Sequence, residues 1–340
     1  MDASDLRAFV QALPKAELHV HLEGSMRPGL LLDLARRRGV ELPAGDEAGL
    51  RRWFRFEDFA HFIEIYLACS RCLREPEDFQ KLLDDFAASQ ASQNVVYSEV
   101  HFTISTHLAN GVDGEEVAQA LGEAIDRARD QLGVEIRLIP DIVRNIAPAA
   151  ADLTLEWALA HRDRGVVALG LAGMEGVTVA PFGEHFETAR REGLRTTAHA
   201  GEQLGPEAMR EVLEICRPER LGHGIAAVRD ETLLQDLVER RIPLEVCPTS
   251  NIRLGYAESL EDHPFDRLRQ AGATLTVNSD DPPLFNTTLV DEYCNLASAF
   301  GYSRSQLVAL ARGAFEQAFL SDEDRAACLA RFDRSLTPSA

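Results

Sequence analysis

Lysine is almost missing from this 340-residue chain: Lys15 and Lys81 are the only two, and arginine supplies the other basic residues. We assign no function to that preference. Basic residues as a whole are outnumbered, 35 Lys and Arg against 55 Asp and Glu, for a net charge of −20. The acidic residues are spread along the chain and not gathered in a tail, so the surface should repel nucleic acid and anionic membranes. No apolar run approaches the roughly 20 residues that a membrane span needs. The opening MDASDLRAFVQALPK lacks the basic-then-apolar pattern of a secretory or transit signal, and a soluble cytoplasmic protein is expected. Six cysteines lie scattered, and only Cys69 and Cys72 are close. One C-x-x-C without a second pair is poor support for a zinc site. On a helix the pair shares a face, where the thiols should pack as small apolar groups.

Hydrophobic residues make up 45% of the chain, ample for a large core. Eight short apolar, often β-branched segments recur: 16–23, 95–102, 135–142, 166–173, 195–202, 220–225, 242–249 and 274–281. Most are separated by stretches of helical periodicity, such as GEEVAQALGEAIDRARDQLG. Eightfold strand-helix alternation predicts an α/β fold, a parallel (β/α)8 TIM barrel forming a single domain over 1–340. Residues 24–94 break the rhythm. They predict a helical insertion after the first strand, a candidate lid, with Trp53, Phe54, Phe56, Phe59, Phe62 and Tyr66 as either its own small core or a pocket wall. The polar tail DRSLTPSA is expected to fray.

The first strand reads ELHVHLE, residues 17–23. With a period of two, His19 and His21 project from one face while Leu18, Val20 and Leu22 project from the other. Two such imidazoles could chelate one ion, yet the pair alone fits hydrogen-bonded core histidines equally well. Further metal-type residues decide the matter: His199 and Glu202 in HAGE, His223 in LGHG, and Asp280 with Asp281 in NSDDPP. Each group lies at the C-terminal end of its expected strand, where a barrel builds its active site. Three imidazoles and a carboxylate suit zinc with a place left for water, so His19, His21, His199 and Asp280 are the expected ligands. Water held there becomes a nucleophile near neutral pH. His223 could accept that water's proton or stabilise the developing hydroxide, Glu202 could exchange a proton with substrate, and Asp281 would point into the same cavity. Such a set suits hydrolytic attack on a polarised carbon.

LPKAELHVHLEGS, LAGMEG, HAGE, RLGHG, EVCPTSN and VNSDDPP, in that order, resemble the motif series of the adenosine deaminase family within the amidohydrolase superfamily, over roughly residues 13–320. The resemblance implies one Zn2+ per chain and an adenine-containing substrate. It further implies that water activated on the zinc attacks C6, Glu202 protonates N1, His223 assists the attack, Asp281 contacts N7 and the backbone NH of Gly173 reaches N3. Ammonia then leaves. Protonating N1 as attack occurs concentrates stabilisation in the transition state. The H-x-E…P-C-x-x-C signature of cytidine-type zinc deaminases is absent from the sequence.

Two departures bear on the substrate. Animal-type members carry Asp where this chain has Glu23, at a position that helps bind the ribose 5′-hydroxyl, so the 5′ side should be built differently here. CPTSN and NSDDPPLFNTTL resemble the bacterial branch that includes deaminases of 5′-modified adenosines such as 6-aminodeoxyfutalosine, a menaquinone precursor. That nucleoside is the expected substrate, with adenosine and 5′-modified adenosines next and free adenine as the alternative. Trp53, Phe54 and Phe56, interleaved with Arg51, Arg52 and Arg55, could receive its aryl group and carboxylate. A nucleoside-binding protein without turnover is the competing class. It would be expected to have lost a ligand or the acid, and all seven metal and catalytic candidates are present. No lysine stands at the C-terminal end of an expected strand to bridge two metals as a carbamate, which favours a single ion.

Overall fold

The protein is described by a computed structural model over residues 2–336. Eight parallel strands run in chain order around one sheet: β1 (Lys15–His21), β2 (Val95–Phe102), β3 (Glu135–Val143), β4 (Ala168–Ala172), β5 (Arg195–Ala200), β6 (Arg220–His223), β7 (Leu244–Val246) and β8 (Leu275–Val277). Each matches one of the eight expected segments, and the architecture is the TIM barrel. Closure comes from β1 meeting the end of β8. The His21 amide donates to the Asp280 carbonyl at 2.9 Å and the Asp280 amide to the His19 carbonyl at 3.2 Å. Both faces of the sheet are covered, which is why the strands are buried almost throughout.

Helix α1 (Ala3–Ala12) precedes the barrel, and the insertion after β1 folds as α2 (Pro28–Arg38), α3 (Glu47–Trp53), α4 (Phe59–Arg71) and α5 (Pro76–Ser92). Asp46 and Asp58 cap α3 and α4 by accepting from the Gly49 and His61 amides. Cys69 and Cys72 are buried free thiols, and burial pushes Cys72 up to about 11, as packed groups require. Of the tail, Asp333–Ser335 continue the last helix, Asp322–Ser335, and 337–340 lie outside the described residues.

The barrel interior is charged as well as apolar. Arg220 on β6, 1% exposed, lies between the fully buried Glu99 on β2 and Glu245 on β7, with Nε 2.6 Å from Glu245 Oε1. Its guanidinium also covers the Phe319 ring at 3.5 Å. Removing the one cation strands two carboxylates away from water. Arg220→Met should therefore lower the unfolding free energy by about 3–5 kcal/mol, read as a fall in the denaturant midpoint; an unchanged midpoint would refute this account of the interior.

Candidate metal and catalytic site

Strand ends carry the site. His19 and His21 (β1), His199 (β5) and Asp280 (after β8) bring one ligand atom each to within 4.8 Å of one another. His21 Nε2 lies 3.2 Å from His199 Nε2 and 3.3 Å from Asp280 Oδ1, and His19 Nε2 lies 3.6 Å from Asp280 Oδ1. Zinc bonds of about 2.0–2.1 Å in a tetrahedron separate neighbouring ligand atoms by about 3.4 Å, so these spacings fit the ion. The tautomers fit as well. His19 Nδ1 faces Glu245 Oε2 at 2.8 Å and His199 Nδ1 faces the Leu171 carbonyl at 2.8 Å, so each Nε2 is left with a lone pair toward the cluster. His19 Nε2 has no hydrogen-bond partner although it is buried.

The electrostatics point the same way. Burial first, then the neighbouring imidazoles, hold His19 and His199 well below the usual histidine range. His21 is raised: burial would lower it, but the Asp280 hydrogen bond and the Asp281, Asp280 and Asp141 charges prevail. Metal binding displaces such a proton.

Two residues of the site are held in left-handed backbone, His223 at φ 60° and Asp280 at φ 64°. Non-glycine residues adopt this conformation at a cost, and the surroundings must enforce it. Ser250 Oγ donates to Asp280 Oδ2 at 2.6 Å. Space is cleared by glycine: a Cβ on Gly222 would sit 2.7 Å from His19 Cε1, and one on Gly24 would overlap Asp281 Oδ1.

Glu202, His223, Asp281 and Gly173 join His21, His199 and Asp280 around a cavity of about 380 Å3. Glu202 Oε1 and Asp281 Oδ1 are buried without partners. Burial, then Asp280, Glu175 and Asp281, push Glu202 well above the carboxylate range; burial and Asp280 do the same to Asp281. Both can thus carry a proton and donate it. Glu175 anchors the Glu202 loop, accepting the Glu202 and Leu204 amides at 2.9 and 2.8 Å.

Glu23 stands apart from the lining. Wholly buried, it accepts from the Thr103 amide at 2.9 Å and His107 Nε2 at 3.0 Å, and from the Tyr66 hydroxyl at 3.3 Å. It reaches the cavity through Tyr66 and Thr103, which do line it. The insertion contributes Phe59, Phe62, Ile63, Tyr66 and Leu67, one face of α4 at helical spacing. The expected wall of Trp53, Phe54 and Phe56 with its arginines is corrected: none of these lines the cavity, and Arg51 and Arg55 face a separate cleft with Arg27 and Arg253. Among the described residues no Lys or Arg lines the catalytic cavity.

Sequence reading passed over several supporting residues. His101 on β2 lies with its ring 4.6 Å from that of His19, its Nδ1 2.9 Å from Asp141 Oδ1. Its place near the end of a strand, in EVHF, was the available signal. Glu175, Glu245, Ser250 and Asn251 all lie within the motifs LAGMEG and EVCPTSN.

The adenosine deaminase family profile matches residues 14–335. This chain belongs to the adenosine deaminase family. It is 39% identical over 331 residues to an adenine deaminase of Streptomyces coelicolor, covering 96% of this chain and 97% of the relative. It is also 39% identical over 332 residues to an aminodeoxyfutalosine deaminase of Streptomyces avermitilis, covering 97% and 93%. A solved amidohydrolase from Burkholderia ambifaria with bound zinc superposes with a TM-score of 0.90 at 26% identity, over 98% of this chain and 94% of that one. The family assignment makes the chain a metal-dependent hydrolytic deaminase.

His199→Ala should abolish both metal content and turnover, since three remaining ligands hold the ion poorly. Elemental analysis alongside an ammonia-release assay checks this, and full activity in a verified metal-free preparation would refute it.

Proposed function

We propose that this deaminase holds one zinc on His19, His21, His199 and Asp280 and removes the 6-amino group of a purine nucleoside. The observation that carries the reading is the pair of buried carboxyl oxygens without hydrogen-bond partners, Glu202 Oε1 and Asp281 Oδ1, at one cavity with three of the four ligands, His21, His199 and Asp280. Zinc bound there would lower the pKa of a water molecule and polarise it for attack. Glu202, kept protonated by burial, supplies a proton to ring nitrogen N1. Asp281, likewise protonated, donates a hydrogen bond to N7. Gly173 lines the same cavity, and its amide would serve N3. Water adds its oxygen to C6 and gives up two protons in all: one restores the proton that Glu202 gave to N1, and one leaves with the departing amine as ammonia when the C6–N6 bond breaks.

The rest of the cavity selects the 5′ side. Phe59, Phe62, Ile63 and Leu67 of α4, with Ile146, Met174 and Leu254, make an apolar wall, and Glu23 sets its floor by holding Tyr66 and Thr103. At 380 Å3 the cavity is within the range of small-molecule sites, about 300–1,000 Å3, and has room beyond the base. Adenosine and 5′-modified adenosines fit it. The aryl group of 6-aminodeoxyfutalosine suits the wall, whereas its carboxylate meets no cation there. Adenine deaminase is the second reading, favoured by the Streptomyces coelicolor relative. The enzyme is read as one barrel domain, cytoplasmic, with small molecules and not nucleic acid as partners.

Glu202→Gln should keep its zinc and lose at least about a hundredfold in kcat; loss of zinc along with activity would make Glu202 structural. Across adenine, adenosine, 5′-deoxyadenosine, 5′-methylthioadenosine and 6-aminodeoxyfutalosine, the nucleosides should exceed adenine in kcat/KM by at least about tenfold. Esterifying the carboxylate of 6-aminodeoxyfutalosine should change kcat/KM by less than about tenfold, since no charge-assisted hydrogen bond of about 1.5–3 kcal/mol is lost. Adenine as best substrate with nucleosides excluded would establish the second reading.

A further inference from the structure

We infer that Asn251 and His263 form a relay that fixes the tautomer of His223, leaving its proton on Nε2, so that His223 serves the reaction as a hydrogen-bond donor and takes no proton. The inference starts from a donor with no ambiguity, a backbone amide. Phe265 N–H donates to His263 Nδ1 at 3.1 Å, so that nitrogen must carry a lone pair and the His263 proton sits on Nε2. His263 Nε2 faces Asn251 Oδ1 at 3.1 Å and donates to it. The Asn251 amide is then oriented, with Nδ2 toward His223 Nδ1 at 3.2 Å. Nδ1 of His223 must accept from it; Glu202 Oε1 also faces this nitrogen but at 3.6 Å, beyond hydrogen-bond distance, so the proton is left on Nε2. Turning the amide over would set its NH2 against the His263 N–H, donor against donor, and its oxygen against His223. The usual ambiguity of amide and imidazole assignment is removed by the backbone at the far end.

All three side chains are buried, His223 at 1%, Asn251 at 0% and His263 at 2% exposure, so water does not compete for these bonds. The short helix Pro248–Arg253 does double duty: Ser250 holds Asp280, and the next residue, Asn251, holds His223. His223 faces the cavity with its ring 4.9 Å from that of His19. With Nδ1 engaged by Asn251, the Nε2–H is the group it can offer to negative charge growing on the attacking oxygen. Asn251 and His263 are positioning residues, acting through His223.

The inference rests on the deaminase reading, but its first test does not use activity. In zinc-loaded enzyme labelled with 15N-histidine, the His223 ring should show the neutral Nε2–H signature; an Nδ1–H tautomer overturns the relay, even if the substrate panel succeeds. Asn251→Asp offers acceptors alone to both imidazoles and should move the His223 proton to Nδ1. We expect kcat to fall by about 10²–10⁴, bounded by the ~10⁴ cost of a wrongly held histidine tautomer, with zinc content unchanged and KM within about threefold. His263→Gln, whose amide nitrogen can replace the lost donor, should keep the Nε2–H signature and most of kcat, whereas His263→Leu should not. Asn251→Asp with wild-type tautomer and kcat within about threefold would overturn the proposal. Should that variant fail to fold, the wild-type spectrum decides.

Discussion

The site depends on one backbone contact, the seam where the chain beyond β8 meets β1. Two amide-carbonyl bonds, His21 to Asp280 and Asp280 to His19, close the barrel. They also set Asp280 beside the paired imidazoles, and the same few atoms therefore determine both architecture and ligand geometry. Asp280 takes up left-handed backbone in making that seam, and Asp281 is turned into the cavity next to it. Gly24 leaves the space that Asp281 fills.

Beneath the ligands, the barrel interior is a hydrogen-bonded layer of charge. Glu245 ties the two levels together: it accepts a hydrogen bond from His19 Nδ1 above and pairs with Arg220 alongside, which in turn pairs with Glu99. Buried ions of this kind are poor contributors to stability when compared with an apolar core. Their value here is orientation, since a metal-ligating imidazole needs its second nitrogen fixed. The Asp141–His101 pair lies at the same level, beside His19 and His21, adding further charge close to the ligands.

The insertion meets the catalytic loops through aromatic packing. Phe62 of α4 stacks on Phe285, at the end of the short helix that follows Asp281, with ring centroids 5.3 Å apart and planes inclined by 13°. The helix that lines the cavity is thereby in contact with the segment that carries Asp280 and Asp281. Tyr66 and Glu23 add a polar link between α4 and the end of β1.

The sequence by itself determined the eight strands, the place of the insertion and which side chains gather at one rim as the proposed metal and catalytic set, because those rest on local rules. Strand parity puts His19 and His21 on one face, and a parallel barrel brings all strand ends to one rim wherever the loops go. It could not decide which insertion residues face the cavity: Trp53, Phe54 and Phe56 are as aromatic as Phe59 and Phe62, Phe56 packs on Phe285 as Phe62 does, and only the tertiary placement of α4 brings Phe59 and Phe62 to the lining. Nor could it place Glu23, whose carboxylate is consumed by Thr103 and His107, 80 and 84 residues away. The roles of Glu245, Asn251 and His263 were likewise beyond its reach, although the first two lie within the motif EVCPTSN. Their roles consist of hydrogen bonds between separate strand ends and loops, and the proton positions those bonds impose exist only once the chain has closed on itself.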